Sequence, residues 1–475
     1  MKTKFLFTAL FLTGVLALTA CGGNDTAPTG EVANDGVMQV GGDDVGVEAN
    51  IVLPPRDLGG MEINIVNWWS DSCTDTADPQ SAAERAMWDN RREMEERYNF
   101  RMRYYRFGSW GDVRDFVQPE ILAQSRNYHF WTLEPSWFAT HNAQRLFAPI
   151  PMEHFEDDYG IEWVRTVLDL TSTDGTPHGF AIGTAFLGGV YFNQRLFSEA
   201  GLDYDLPFTL QREGNWTWET FTDAARRLSR DLTGDGIIDT WAITSFSADL
   251  LFGAMANNGA TFVEICPDTG LFVSTTNSIN FFEAIEWTSQ LRQEMLLFHG
   301  LIDHDAAWDA FVQMFNDGHG AMRVAGHYVA GNLLLEDPWG FVSFPRGPRG
   351  QPSQHVGWVS HNIRVIPHFF TPEEVDDFMF AMRMWARPVE GDASDEWIFE
   401  NYVNHPDTRS VDETMVNFTR NPDMHIMPVH NMLPGLGEYL GPLFHWRIGW
   451  GAEAAGVVEE GSLAFQAFLD RVNAM

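Results

Sequence analysis

The apolar positions of this chain fall first into one uncharged, mostly apolar block, residues 5–18, behind Lys2 and Lys4, and after that into short periodic runs. The block is about 14 residues long, too short for a comfortable permanent span, and reads as a cleavable leader over residues 1–20. Residues 21–54 show no helical or strand period among their Gly, Asp, Asn, Val and Pro, which predicts a disordered acidic tether. Ile63, Ile65 and Val66 make the first β-prone run, which stops at Trp68-Trp69-Ser70-Asp71. Ala83, Met87, Met94 and Tyr98 then share one face of a helix predicted over about residues 79–98. Thr217 caps a helix striped by Trp218, Phe221, Ala225 and Leu228, with Glu219 in its positive first turn. Phe281, Ala284, Ile285 and Thr288 define another. The strongest start signal is Thr371-Pro372-Glu373-Glu374, a capping hydroxyl, a proline at the first helical position and a glutamate that reaches back. Strand-like runs at Phe341-Val342-Ser343-Phe344 and residues 363–366 lie between helices. Alternating helix and strand predicts an α/β protein, with two sheets.

Charge narrows the partners. With 66 acidic residues against 30 basic ones, the net charge is −36, so phosphate neutralisation by clustered Lys and Arg is excluded and nucleic acid is not a partner. At 475 residues the chain has room for two domains, each with its own core. Leu18-Thr19-Ala20-Cys21 resembles the lipobox of bacterial lipoproteins. That resemblance implies a diacylglycerol on the Cys21 thiol and a mature protein tethered to the cell membrane on its extracytoplasmic face. Cys73 and Cys266 are then expected as free, partly buried thiols in different halves of the fold.

Four segments occur in a telling order. Asp174-Gly175-Thr176-Pro177-His178-Gly179 leads to Tyr191-Phe192-Asn193-Gln194-Arg195-Leu196-Phe197 and Ser198-Glu199-Ala200-Gly201; Trp216-Thr217-Trp218-Glu219 follows. Phe315-Asn316-Asp317-Gly318-His319-Gly320-Ala321-Met322 and Phe344-Pro345-Arg346-Gly347-Pro348 complete the set. Together they resemble the family 1 extracellular solute-binding proteins, the maltose-binding-protein group. The chain departs from that pattern at Asn127-Tyr128-His129-Phe130-Trp131, where many members carry an acidic residue, and at His319 in place of a lysine.

The resemblance implies two α/β lobes joined by crossover hinge strands, with a central ligand cleft. One lobe would comprise 55–185 with 327–387 and the other 186–326 with 388–475. It implies a monomeric receptor that hands a carbohydrate, an oligosaccharide by preference, to the permease subunits of an ABC importer, with no cofactor required. Sugar recognition needs apolar faces and planar polar groups, and strand ends are the usual ligand positions of open α/β sheets. Trp69, Trp137 and Trp358 are the candidate stacking residues, Asp71 and Glu134 the hydroxyl acceptors, and Tyr328 a closing group after the second crossover. Asp231, Thr233, Asp235 and Asp239 place oxygen donors as in an EF-hand-type loop, although Ala242 stands where the bidentate glutamate belongs. A structural calcium and a plain Asp/Gly turn both fit that pattern. No catalytic motif appears: there is no His-Glu-x-x-His, Gly-x-Ser-x-Gly or phosphate loop, and Glu283 and Glu286 read as solvated helix acids. An extracellular glycosidase or lyase, and a sensory lipoprotein feeding a membrane kinase, are the alternatives.

Overall fold

In the computed structural model the run at Ile63 is a strand whose alternate side chains enter opposite layers, Ile63 and Ile65 joining one buried cluster and Val66 another. Described are residues 53–79, 82–156, 159–183, 188–298, 304–351, 357–358, 361–389, 401–419, 421, 425–426 and 433–474. The leader, Cys21 and nearly all of the tether lie outside them. No described helix is long and apolar enough to cross a membrane.

In chain order the strands of the two main sheets are β1 (Met61–Asn67), β2 (Ser72–Cys73), β3 (Phe100–Arg106), β4 (Phe130–Leu133), β5 (Gly188–Asn193), β6 (Trp241–Ile243), β7 (Gly320–Gly326), β8 (Trp339–Ser343) and β9 (Ile363–Val365). The first sheet has the order β9-β4-β1-β3-β2, and the second β8-β5-β7-β6. β1 runs parallel to β3 and β4, so their carboxyl ends share one edge. In the second sheet β6 and β7 are likewise parallel, while β5 runs against both of its neighbours, β7 and β8. Helices α1 (Ala82–Tyr98), α2 (Trp110–Leu122), α3 (Pro135–Asn142), α4 (Trp218–Leu228), α5 (Ser247–Asn257), α6 (Ile279–Gln293), α7 (Pro372–Trp385) and α8 (Ala454–Val472) cover the sheets. Ile51–Met475 make one compact unit.

Each sheet carries its own pair of cores. On the first, Ile65, Phe130 and Phe378 meet on one face and Val66, Trp131 and Val113 on the other. On the second, Phe192, Met322 and Val324 meet the α4 and α6 stripes, and Tyr191 and Phe341 meet Val411 and Phe418. The α7 start forms as its sequence demands: the Thr371 hydroxyl accepts from Glu374 N at 3.3 Å, and Thr371 N donates to the Glu374 carboxylate at 2.9 Å. Cys73 and Cys266 are both unbridged.

The boundary expected at residue 327 is displaced. Trp339–Ser343 pairs antiparallel with β5, Phe341 opposite Tyr191, and so belongs to the second sheet rather than the first. Without β8 that edge of β5 would leave its backbone groups unpaired in a buried layer. Glycine permits the close approach, since a Cβ at Gly340 would stand 2.7 Å from the Phe192 ring. The segment after β8 also stays with the second half, Arg346 exchanging backbone bonds with Trp216 and Trp218 at 3.0 Å. The chain therefore returns to the first sheet between Gly350 and Ile363. Glu283, expected to be solvated, instead holds Arg349 at 2.8 Å and Asn258 at 3.1 Å, fastening this return segment.

Candidate ligand-binding site

The carboxyl edge of the first sheet collects tryptophans because each parallel strand ends in one or leads directly to one. Trp68 and Trp69 follow β1. Trp110 opens α2 after β3, held there by a capping box in which the Ser109 hydroxyl accepts from Asp112 N. Trp137 sits in the first turn of α3 after β4. Their rings form a run: Trp69 to Trp68 at 4.8 Å, Trp68 to Trp137 at 5.6 Å, Trp137 to Trp110 at 4.8 Å between centroids. Trp69 is 48% exposed and Trp110 37%, while Trp137 is buried between its neighbours. Asn67 steers the chain off β1, its side-chain oxygen accepting from Trp69 N at 2.8 Å and Ser70 N at 2.7 Å.

Glu134 follows the last residue of β4 and accepts a hydrogen bond from Trp110 Nε1 at 2.7 Å. Burial raises the pKa of its carboxyl, the Trp110 bond and the Arg114 charge acting against that rise.

The second half answers from its own carboxyl edge. Beyond β7, Tyr328 lies in the turn His327–Asn332, inside the second half and not at a crossover as the sequence suggested. It exposes 51% of its surface, yet the surrounding protein still strips enough water to raise its pKa, with the negative charge of Asp249 adding to the effect. Glu134 of the first half also raises it, so the two edges act on the same phenol. Asp249, in the first turn of α5 after β6, is pushed up to about 7 by burial, with Arg323 pulling it down. Arg323, 2% exposed on β7 opposite Tyr191, has its own pKa lowered by burial. The halves also touch where Gly435 N donates to Thr140 Oγ1 at 3.0 Å.

Of the residues expected from sequence, Trp69, Glu134, Trp137 and Tyr328 gather at this junction. Asp71 does not join them; it is ion-paired with Arg103 at 2.6 Å. Trp358 is in a two-residue strand beside His425-Ile426, and its side chain lies outside the described residues. Sequence reasoning missed Trp110, Asp249 and Arg323. The Ser109–Asp112 capping pair was a readable signal for the first, and a lone arginine inside Ala321-Met322-Arg323-Val324-Ala325 for the last.

The carboxylates of the acidic loop bond to the loop's own backbone. Asp231 accepts from Gly234 N at 2.7 Å and Gly236 N at 2.8 Å, Asp239 from Leu232 N at 2.7 Å and Thr233 N at 3.2 Å, and Asp235 from Ile237 N at 2.8 Å. Each carboxylate is thus turned onto the loop's own backbone, as in an Asx turn. No group of three or more His, Cys, Asp or Glu among the described residues is placed to hold a metal ion. Thermal melting of the protein is expected to be the same in calcium and in EDTA if the loop is a plain turn; a higher midpoint with calcium would decide for the calcium reading.

This topology, two α/β halves whose strand ends face one another across returning chain segments, is the two-lobed periplasmic-binding-protein-like fold. No family model and no curated protein matches the sequence. Solved structures do match. UgpB from Mycobacterium tuberculosis in complex with glycerophosphocholine aligns with TM-score 0.60 at 15% identity, over 87% of this chain and 99% of its own. The GacH receptor of Streptomyces glaucescens, solved with acarbose, gives 0.59 at 12% over 86% and 99%. An ABC substrate-binding protein from Listeria monocytogenes in complex with cycloalternan gives 0.58 at 15% over 86% and 98%.

Proposed function

We propose that the protein is a carbohydrate-binding solute receptor of an ABC importer, anchored through a lipid on Cys21 at the extracytoplasmic face of the membrane. The observation that carries the reading is the run of indoles on one sheet edge, met by Tyr328 and Asp249 from the other. Apolar ring faces suit the C–H side of a sugar, and carboxyls drawn toward their protonated form both donate and accept hydrogen bonds with hydroxyls. The solved proteins with this fold that bind acarbose, cycloalternan and glycerophosphocholine support a polyhydroxylated solute. Closure is stabilised by contacts that only the closed form makes to the ligand, after which the permease reads the closed shape.

Hydrolysis is the weaker reading. A glycosidase needs one carboxyl held as the acid and a second held ionised. Here burial pushes Glu134 and Asp249 in the same direction. Incubation with oligosaccharide is therefore expected to return it intact.

Trp69→Ala removes the most exposed ring of the run. Loss of one stacking face is worth about 1–1.5 kcal/mol, so calorimetric titration with a bound oligosaccharide should show roughly tenfold weaker affinity. Unchanged affinity would discard Trp69 as a contact. A calorimetric screen of mono- and oligosaccharides that finds no binder at all would discard the receptor reading.

A further inference from the structure

We propose that the solute carries an anionic group, a carboxylate or a phosphate, taken by Arg364 together with Asn67, Thr132 and Tyr104; this rests on the receptor reading and adds a charge to it. The strand register brings the four together at the carboxyl edge of the first sheet. Val66 and Trp131 are partners on β1 and β4, and both enter the layer that holds Trp137. Asn67 and Thr132, one step further along, therefore face the opposite layer, with Ile65 and Phe130. Thr132 is in turn the partner of Arg364 on β9. Arg364 and Tyr104 start from strands that have β4 and β1 between them, each strand about 4.8 Å from the next, and the guanidinium still donates to the Tyr104 hydroxyl at 3.3 Å. They meet over the strands that carry Thr132 and Asn67.

Donors collect here without acceptors. Asn67 is 0% exposed and Thr132 2%, and neither Asn67 Nδ2 nor Thr132 Oγ1 has a hydrogen-bond partner. The Asn67 oxygen is already committed to Trp69 N and Ser70 N, so what the residue has left to offer is its amide protons. Trp385, edge-on to Tyr104 at 5.4 Å, buries an indole Nε1 that is likewise unpartnered. The guanidinium of Arg364 has one side-chain bond among the described residues, to the Tyr104 phenol and not to a carboxylate, in a chain that holds 66 acids. Buried donors are seldom left unpaired, so several around one guanidinium point to an acceptor that arrives from outside. An ionised carboxylate or phosphate only accepts, and its charge is the counter-ion for Arg364. The net charge of −36 repels anions at long range, so retention falls to this local set.

The test uses the full chain and three pyranoses that differ only at C6: glucose, glucuronate and glucose 6-phosphate. Calorimetric titration is expected to give at least one of the anions about tenfold tighter binding than glucose, the size of a charge-assisted hydrogen bond, and which anion binds tells carboxylate from phosphate. Arg364→Gln should abolish that preference. Asn67→Asp retains the oxygen to which Trp69 N and Ser70 N donate and sets a negative charge against the anion, so it should abolish the preference too. Equal binding of the three, a preference that survives both substitutions, or binding of none of the three while a neutral oligosaccharide binds overturns the anion assignment and leaves the receptor reading standing. Failure of every probe, neutral oligosaccharides included, overturns the receptor reading and this inference with it.

Discussion

Between about pH 4 and pH 7 the wild-type protein is expected to lose about 3 kcal/mol of stability relative to an Asp249→Asn variant. Burial of Asp249 raises its pKa from an ordinary 3.8 to about 7 in the folded protein, even with the Arg323 charge pulling it back. A raised carboxyl means that the folded state binds the proton more tightly than the unfolded state. Its contribution to stability is therefore complete below about pH 4 and is lost as the pH climbs through 7, because the folded protein must then carry a charge that the unfolded chain carries freely in water. Asparagine has the same shape and no proton to lose. Urea unfolding of both proteins across this window gives the difference directly, free of every group the two share. A constant difference from pH 4 to 7 would show that Asp249 is solvated, and would remove it from the polar set facing Tyr328.

This group illustrates what the sequence could and could not convey. The first strand, the Thr371 cap and the Thr217 cap were legible because each depends on residues within one turn or one pleat of each other. The gathering of Trp69, Trp137 and Glu134 at one sheet edge was legible because parallel strands of an open α/β sheet end on the same side wherever the sheet goes. The placement of Trp339–Ser343 was not. Its local pattern says strand, but whether it lies on the first or the second sheet depends on which edge of β5 stands open, a fact held 150 residues away in the chain at Gly189 and Tyr191. Asp249 and Arg323 failed for a related reason: burial of a charge is decided by what folds over it, and α5 and β7 meet only in three dimensions. The acidic loop is a different case: its spacing suits both a metal loop and an Asp/Gly turn, and spacing does not say which backbone groups its carboxylates accept from, here those of the loop itself.

His129 should produce the opposite slope in the other half. It is the middle residue of the departure noted at residues 127–131, and the structure gives the reason for an imidazole there. Asn64 N donates to His129 Nδ1 at 3.1 Å, so that nitrogen must be without a proton, and the ring stacks on Phe370 at 5.7 Å and meets Phe378 edge-on at 5.0 Å. Burial first, and the Arg126 charge second, lower its pKa to about 4, with Glu374 acting against them. A depressed base is the mirror of Asp249. The unfolded chain takes up the proton near the ordinary 6.5 while the folded protein refuses it until about 4, so stability is full above 6.5 and falls as the pH drops through that window. The loss is about 3 kcal/mol. Compared with His129→Gln, which retains an acceptor for Asn64 N, the wild type should gain stability from pH 4 to 6.5 by that amount. Because Asp249 and His129 act with opposite signs over nearly the same range, their contributions offset one another in the wild-type profile, and the two variant differences expose them. Imidazole proton resonances followed by NMR give an independent reading: His129 should stay neutral well below pH 6, and a titration midpoint near 6.5 would mean that the ring is not held against Asn64.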